Sequence, residues 1–376
     1  MIKILLTGGG SGGHIYPLLA VANSLKEIAV IENKSIELIY FGSFGEFKKE
    51  IEKEKIKIFK IAGGKYRNYS SILNALDGFK VFYSFFQAFV KLYFIMPDII
   101  FSAGGPGALP IVMVGKFYRI PIVLLEPNSV PGRTNTISGR LAVRIAIAFQ
   151  GASKYFNGKN IALVGSPIRK ELIENIPDKK IAKDKLGFSL GIPLIMVLGG
   201  SQGSTRINDF IFANLDFLIS QFQILHQVGQ ANFSEAQEKS NFLLKNFTEE
   251  ERSRYKIIPY FEDPDLMKKA YAASDLIISR AGAGTIFEIA AFQKPAILIP
   301  LPEGKDQKAN AYEYAETGAA IVMEQENLLT TLFRNQVIKI LNDKPTQLKM
   351  IEAAGIFSRV DAASIIAHEI FKIVEN

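Results

Sequence analysis

Pro97-Asp98-Ile99-Ile100-Phe101-Ser102-Ala103-Gly104-Gly105 reads as a short aliphatic strand that runs into a glycine turn. The same plan returns at Ser274-Asp275-Leu276-Ile277-Ile278-Ser279-Arg280-Ala281-Gly282. Each turn is followed by a helix-like stretch and then by a strand primed with proline. The strands are Ile120-Pro121-Ile122-Val123-Leu124-Leu125 and Lys294-Pro295-Ala296-Ile297-Leu298-Ile299. Aliphatic strands that alternate with helices predict a parallel sheet covered on both faces.

Outward from these copies the chain keeps the same plan. Ile2-Lys3-Ile4-Leu5-Leu6 leads into Gly8-Gly9-Gly10-Ser11-Gly12-Gly13-His14, Pro17 to Leu25 has helical spacing, and Ile36 to Phe41 reads as the next strand. In the second half Leu194 to Leu198 is a β run, Gly199-Gly200-Ser201-Gln202-Gly203-Ser204 is the loop, and Arg206 to Leu218 is helix-like. The predicted class is α/β, with two Rossmann-like domains of parallel sheet facing each other across a cleft. The expected division is 1–163 and 164–357. The last helix, Ala362 to Val374 within 358–376, could pack on either domain, and by analogy with chains of this plan it is expected to cross back to the first.

The totals fit that plan. A chain of 376 residues is too long for one ordinary core, and 48% hydrophobic with 22% charged residues is a globular composition. It has no cysteine, which excludes disulfides and thiolate metal sites and fits a reducing compartment. The start reads as a strand rather than a secretory signal, because Ile4-Leu5-Leu6 ends at once in glycines. A membrane span needs roughly 20 apolar residues. The best run, Val81 to Val90, lies between Lys80 and Lys91 and is too short. The formal charge of +7 points to an anionic partner: nucleotide, nucleic acid or lipid headgroup.

In an open α/β sheet, ligands bind beyond the carboxyl ends of the strands, where helix N-termini offer free N–H groups. Four glycine turns lie at such ends, after Leu6, Ser102, Leu198 and Arg280. Gly8, Gly10 and Gly13 spell G-x-G-x-x-G, but a dinucleotide site needs an acid at the end of the second strand. That strand ends Tyr40-Phe41-Gly42-Ser43, with no acid, and no turn ends in the Gly-Lys-Ser/Thr of a Walker loop.

These residues resemble the MurG family, N-acetylglucosaminyltransferases of peptidoglycan precursor synthesis with the GT-B fold, over nearly the whole chain. The resemblance is carried by Gly8 to His14 with Pro17, by Gly165-Ser166-Pro167-Ile168-Arg169 and by Gly199 to Ser204. Arg280-Ala281-Gly282-Ala283-Gly284-Thr285 leading to Glu288, and Asp306-Gln307 followed by Asn310-Ala311, complete it. It implies transfer of N-acetylglucosamine from UDP-GlcNAc to the muramoyl 4-hydroxyl of lipid I, giving lipid II and UDP. The transfer inverts the anomeric centre and needs no metal or other cofactor. It also implies a peripheral place on the cytoplasmic face of the plasma membrane, with other cell-wall enzymes as partners.

By that resemblance Arg169 and Ser201 would meet the UDP phosphates and Glu288 the ribose hydroxyls. Backbone near Phe261 would read the uracil edge, while Ala283, Gly284, Thr285 and Ile286 would cover the nucleoside. Gln307 and Asn128 would hold sugar hydroxyls, and Ser11, Gly12 and Gly13 would face the reacting groups. The chemistry suits these residue types. Fixed N–H donors and a guanidinium stabilise the charge that develops on UDP. The acceptor hydroxyl must lose a proton, and His14 is the only imidazole in a glycine loop. His14 also reads as a helix-start residue bonding the loop, and Glu288 as a first-turn acid that complements the helix dipole. Asp263-Pro264-Asp265 is formally a D-x-D metal motif, yet its proline reads as a turn and helix start.

Two departures fall on the acceptor side. Family members usually carry tyrosine where this chain has Pro106, and His-Glu-Gln-Asn where it has Leu125-Glu126-Pro127-Asn128. From Lys60 to Met96, five basic residues accompany Phe79, Phe82, Tyr83, Phe86, Phe89, Val90 and Tyr93 at helical spacing, as in a core helix or a helix lying on anionic lipid. No organised stacking platform for nucleic acid is present. Two other functions share these features: a UDP-sugar 2-epimerase of the same fold, and a non-catalytic nucleotide-binding subunit that recruits partners to membranes.

Overall fold

A computed structural model describes residues 1–45, 47–61, 73–105, 107–200 and 203–375, with the side chains of 73–82 excepted. Ser201 and Pro106 therefore lie outside the described residues, as do Lys65, Arg67 and the side chains of Phe79, Lys80 and Phe82. The chain forms two compact units, Met1–Arg169 with Arg359–Asn376, and Lys170–Ser358.

The first unit holds the strands β1 (Ile2–Gly8), β2 (Ile36–Gly42), β3 (Lys57–Lys60), β4 (Ile99–Ser102), β5 (Ile122–Glu126), β6 (Arg144–Ile147) and β7 (Ile161–Leu163). They form one sheet in the order β3-β2-β1-β4-β5-β6-β7. The described pairs are all parallel. Alternation along the strands splits the core in two. Ile4, Leu6, Phe101 and Leu125 pack on one face with the helices Gly12–Ile31 and Ala362–Glu375. Leu5, Ile100 and Leu124 turn to the other face, towards Ala88, Leu92, Ile111 and Val112. The last helix is held there by a stripe of Ala363, Ile366, Ala367, Ile370 and Phe371 at three- and four-residue spacing.

The second unit holds β8 (Leu194–Leu198), β9 (Gln223–Gln227), β10 (Tyr255–Ile258), β11 (Leu276–Ser279), β12 (Ala296–Leu298) and β13 (Ala320–Val322). Their order is β10-β9-β8-β11-β12-β13, again parallel. In both sheets the chain builds outward one way, then returns to build the other way. The strand order therefore reverses between β1 and β4, and between β8 and β11. Such a reversal leaves a crevice between two neighbouring loops, and that is where open α/β sheets bind ligands.

One predicted helix differs. Arg206 to Leu218 is broken into Thr205–Phe212 and Leu215–Gln221. Asn214 makes the break: its Nδ2 donates to the Phe210 carbonyl at 2.9 Å and its Oδ1 accepts from Arg334 Nε at 2.9 Å. A side chain that takes the carbonyl four residues back competes with the helix ladder. The Asp178 to Lys185 stretch is a helix, Lys179–Lys185, capped by the Asp178 carboxylate, which accepts from the Lys180 amide.

Candidate active site

At the first unit's reversal point the loop after β1 meets the loop after β4. Gly104 and Gly105 both take positive φ, at 80° and 90°. A Cβ on Gly105 would lie 2.7 Å from Gly9 Cα, so only glycine lets the two backbones touch. His14 fills the space they leave, in the first turn of the helix Gly12–Ile31. Its Nδ1–H donates to the Ala103 carbonyl at 2.8 Å. That bond fixes the tautomer and leaves the Nε2 lone pair as the proton acceptor. Burial pushes the pKa of His14 below the ordinary imidazole value, against a smaller upward pull from the Ala103 carbonyl. The ring is therefore neutral at neutral pH. Ser11 and Gly13 are exposed beside it and Gly12 is half-buried.

Asn128 follows β5, and its backbone N–H donates to Glu126 Oε1 at 2.9 Å. Glu126 is buried, and its other oxygen accepts from Asn135 Nδ2 at 2.7 Å. The carboxylate therefore shapes the Asn128 turn. Arg169 stands at the end of the first unit's contiguous part, and its guanidinium lies 4.1 Å over the Tyr16 ring, two residues from His14.

In the second unit the loop after β8 lies beside the loop after β11. The Gly200 carbonyl accepts from Gln227 Nε2 at 2.7 Å, which fixes the turn. Ser204 caps the helix Thr205–Phe212. That helix is anchored by a buried chain in which Tyr255 O–H donates to His226 Nδ1 at 2.8 Å and His226 Nε2–H to Asn208 Oδ1 at 3.0 Å. Asn208 Nδ2 in turn donates to the Val228 carbonyl at 2.9 Å. Burial takes the pKa of His226 down to about 3, so this imidazole is a structural, neutral link.

Glu288 is half-buried on the helix Ala283–Ala291, where Tyr271 O–H donates to its Oε2 at 2.8 Å. Tyr271 is itself fixed by stacking on Phe292, with ring centres 4.8 Å apart. Gly284 and Thr285 are half-buried at the start of that helix, but Ala283 and Ile286 point into the core. Phe261 is also buried, so contacts from Ile286 or Phe261 would come through the backbone. Gln307 Oε1 accepts from the Leu301 amide at 3.2 Å, leaving its NH₂ group to donate. Asp263 caps the helix Pro264–Ala273 by accepting from the Asp265 amide at 2.9 Å, which makes Asp263-Pro264-Asp265 a helix start.

Among the expected residues, Ser11, Gly12, Gly13, His14 and Arg169 thus gather around one helix start in the first unit. Gly284, Thr285, Glu288 and Gln307 stand on the C-terminal side of the second sheet. Sequence reading missed Tyr271, which holds Glu288, and Arg280, which bonds Ser204, because each acts across the fold. It also missed half of an apolar face. Tyr83, Phe86, Phe89, Tyr93 and Phe94 are exposed on the helix Leu73–Ile95, with Phe86 at 62%. Beside them on the helix Leu109–Phe117 are Met113 and Phe117, the latter 68% exposed, with Phe89 and Phe117 rings 5.5 Å apart. Exposed Lys116 and Arg119 flank this patch. The run Lys116-Phe117-Tyr118-Arg119 was the available signal. No helix among the described residues is long and apolar enough to cross a membrane.

Comparison with known proteins identifies the family and the fold. The family model for the glycosyltransferase family 28 N-terminal domain matches residues 4–147, and that for the C-terminal domain matches 194–366. A Clostridium botulinum (strain Hall) protein is 36% identical over 91% of this chain and 94% of its own length. It is named UDP-N-acetylglucosamine--N-acetylmuramyl-(pentapeptide) pyrophosphoryl-undecaprenol N-acetylglucosamine transferase. The crystal structure of Acinetobacter baumannii MurG superposes with a TM-score of 0.75 at 25% identity, covering 99% of this chain and 100% of that one. A UDP-GlcNAc 2-epimerase from Neisseria meningitidis, bound to UDP-GlcNAc, shares the fold at a TM-score of 0.69 and 12% identity, over 99% of this chain and 100% of that one.

Proposed function

Because this chain belongs to glycosyltransferase family 28, we propose that it transfers N-acetylglucosamine from UDP-GlcNAc to the muramoyl 4-hydroxyl of lipid I, forming lipid II and UDP in peptidoglycan synthesis. The single observation that carries the chemistry is His14, whose Nδ1–H bond to Ala103 leaves Nε2 unprotonated beside an open glycine turn. In this reading the 4-hydroxyl attacks the anomeric carbon, its proton passes to His14 Nε2, and the bond to UDP breaks with inversion. The leaving diphosphate is met by N–H donors of the loop after β8 and by Arg169. Ser201 belongs to the same set. Glu288, oriented by Tyr271, accepts the ribose hydroxyls, and Gln307 and Asn128 bond the sugars. The backbone near Phe261 reads uracil, with Gly284, Thr285 and the backbone of Ala283 and Ile286 along the nucleoside. The first unit takes the acceptor and the second the sugar nucleotide.

The test is turnover of UDP-GlcNAc with a lipid I analogue, with and without EDTA. The expected result is UDP release that needs the acceptor and ignores the chelator. UDP-N-acetylmannosamine formed without acceptor would select the epimerase instead, and absence of any turnover would leave only a binding role.

The lipid-linked acceptor also requires contact with a membrane, which in this reading is the cytoplasmic side of the plasma membrane, and the exposed aromatic face supports a peripheral position on a membrane surface. Apolar rings flanked by cations suit an anionic interface. The unmodified protein is expected to float with anionic vesicles at low salt, and the double change Phe86→Glu with Phe117→Glu to abolish flotation. An unmodified protein that stays at the bottom of the gradient would refute the membrane reading.

A further inference from the structure

The loop after β11 begins with a group for which the transfer above has no use. Arg280 is only 9% exposed. Its guanidinium donates to four neutral oxygens: the Ile299 carbonyl at 3.1 Å, the Pro300 carbonyl at 3.3 Å, Gln325 Oε1 at 2.6 Å and Ser204 Oγ at 2.7 Å. None of its bonds among the described residues goes to a carboxylate. A buried cation without a counter-charge is costly. The arrangement therefore fits a site whose anion arrives with the ligand.

Ser204 shows where that charge is felt. Its Oγ accepts from Arg280 at 2.7 Å and from the Ile207 amide at 3.3 Å. A hydroxyl has two acceptor positions and one proton to give. Both acceptor positions are filled, so the O–H has to donate to a third group, and no described residue accepts it. The oxygen also caps the eight-residue helix Thr205–Phe212, at the end where the helix dipole favours anions. A guanidinium on the acceptor side of a hydroxyl polarises it and makes it a stronger donor.

We infer that the Ser204 hydroxyl donates to a diphosphate oxygen of the bound sugar nucleotide, with Arg280 as the positioning residue behind it. The inference rests on the reading of the second unit as the nucleoside-diphosphate site and adds two residues to it. It also gives the buried cation its counter-ion. Arg280 bonds the helix start that closes the loop after β8, the end of β12 and the segment after β13, so one side chain ties the donor loop to two other parts of the sheet edge.

The test uses the full-length protein and compares its affinity for UDP with that for uridine, by competition against a labelled UDP-sugar. Ser204→Gly removes the hydroxyl at little cost to the helix cap. UDP is expected to bind about ten- to a hundredfold more weakly, as when a hydrogen bond to a charged group is lost, and uridine as before. Ser204→Thr keeps the hydroxyl and is expected to restore UDP binding. Arg280→Met is expected to repeat the selective loss and to flatten the salt dependence of UDP binding, while Arg280→Lys retains part of both. Should Arg280→Met fail to fold, Ser204→Gly alone decides. Unchanged UDP affinity in Ser204→Gly, or equal loss for UDP and uridine, would overturn the inference. If UDP does not bind the unmodified protein, the nucleotide reading itself falls and this inference falls with it.

Discussion

Replacing His14 with alanine is expected to lower kcat by about 10²–10⁴-fold, the range general-base catalysis supplies, while leaving UDP affinity unchanged. The two effects separate because the proposed base stands in the first unit, whereas the residues proposed for the nucleoside, Gly284, Thr285 and Glu288, stand in the second. The pH profile adds an independent signature. The reaction needs the neutral ring, and burial lowers the pKa of His14 from the usual imidazole value. Protonation then begins only below that value. The kcat/KM of the unmodified protein should be flat through neutrality and fall as pH drops past the lowered pKa. In His14→Ala the acid limb should disappear along with most of the rate. A profile that keeps the limb after the substitution would assign the base to another group, and near-normal turnover would return His14 to a helix-start role.

The second large effect is expected at Gly105→Ala. The residue sits at a φ of 90°, and its new Cβ would lie 2.7 Å from both Cα and N of Gly9 and 3.3 Å from the His14 ring. Backbone strain of this kind costs about 1–3 kcal/mol by itself, before the clash is relieved. The neighbours are backbone atoms and cannot turn aside as a side chain would. Relief must come from separating the loops after β1 and β4, which moves the imidazole. Displacement of a reacting group by about 1 Å costs on the order of a hundredfold in rate. Thermal denaturation should therefore fall by several degrees, with turnover lowered about a hundredfold and UDP binding retained. Normal turnover in Gly105→Ala would mean that the two loops do not set the position of His14.

Much of the fold was legible in the sequence because its signals are local. A strand buried on both faces must be aliphatic throughout, and a turn needing positive φ must be glycine, so Ile99 to Gly105 declares both within one segment. The final helix was legible for the same reason, its apolar stripe being written into Ala363, Ile366, Ala367, Ile370 and Phe371. The helix break at Asn214 was not, because it depends on Arg334, which lies far along the chain.

The site divides in the same way. Sequence marked His14 by its glycine loop and Glu288 by the turn before it, while Gln307 was marked only by the family resemblance. Only the tertiary structure decided which nitrogen of His14 carries the proton, because that depends on a carbonyl 89 residues away at Ala103. It likewise brought Tyr271 to Glu288, Phe117 to Phe89 and Arg280 to Ser204. A residue's conformational needs are met by its neighbours in sequence and show in the local pattern. Its charge, proton and hydrogen bonds are settled by whatever the folded sheet brings alongside, and that pairing has no signature in a single stretch of chain.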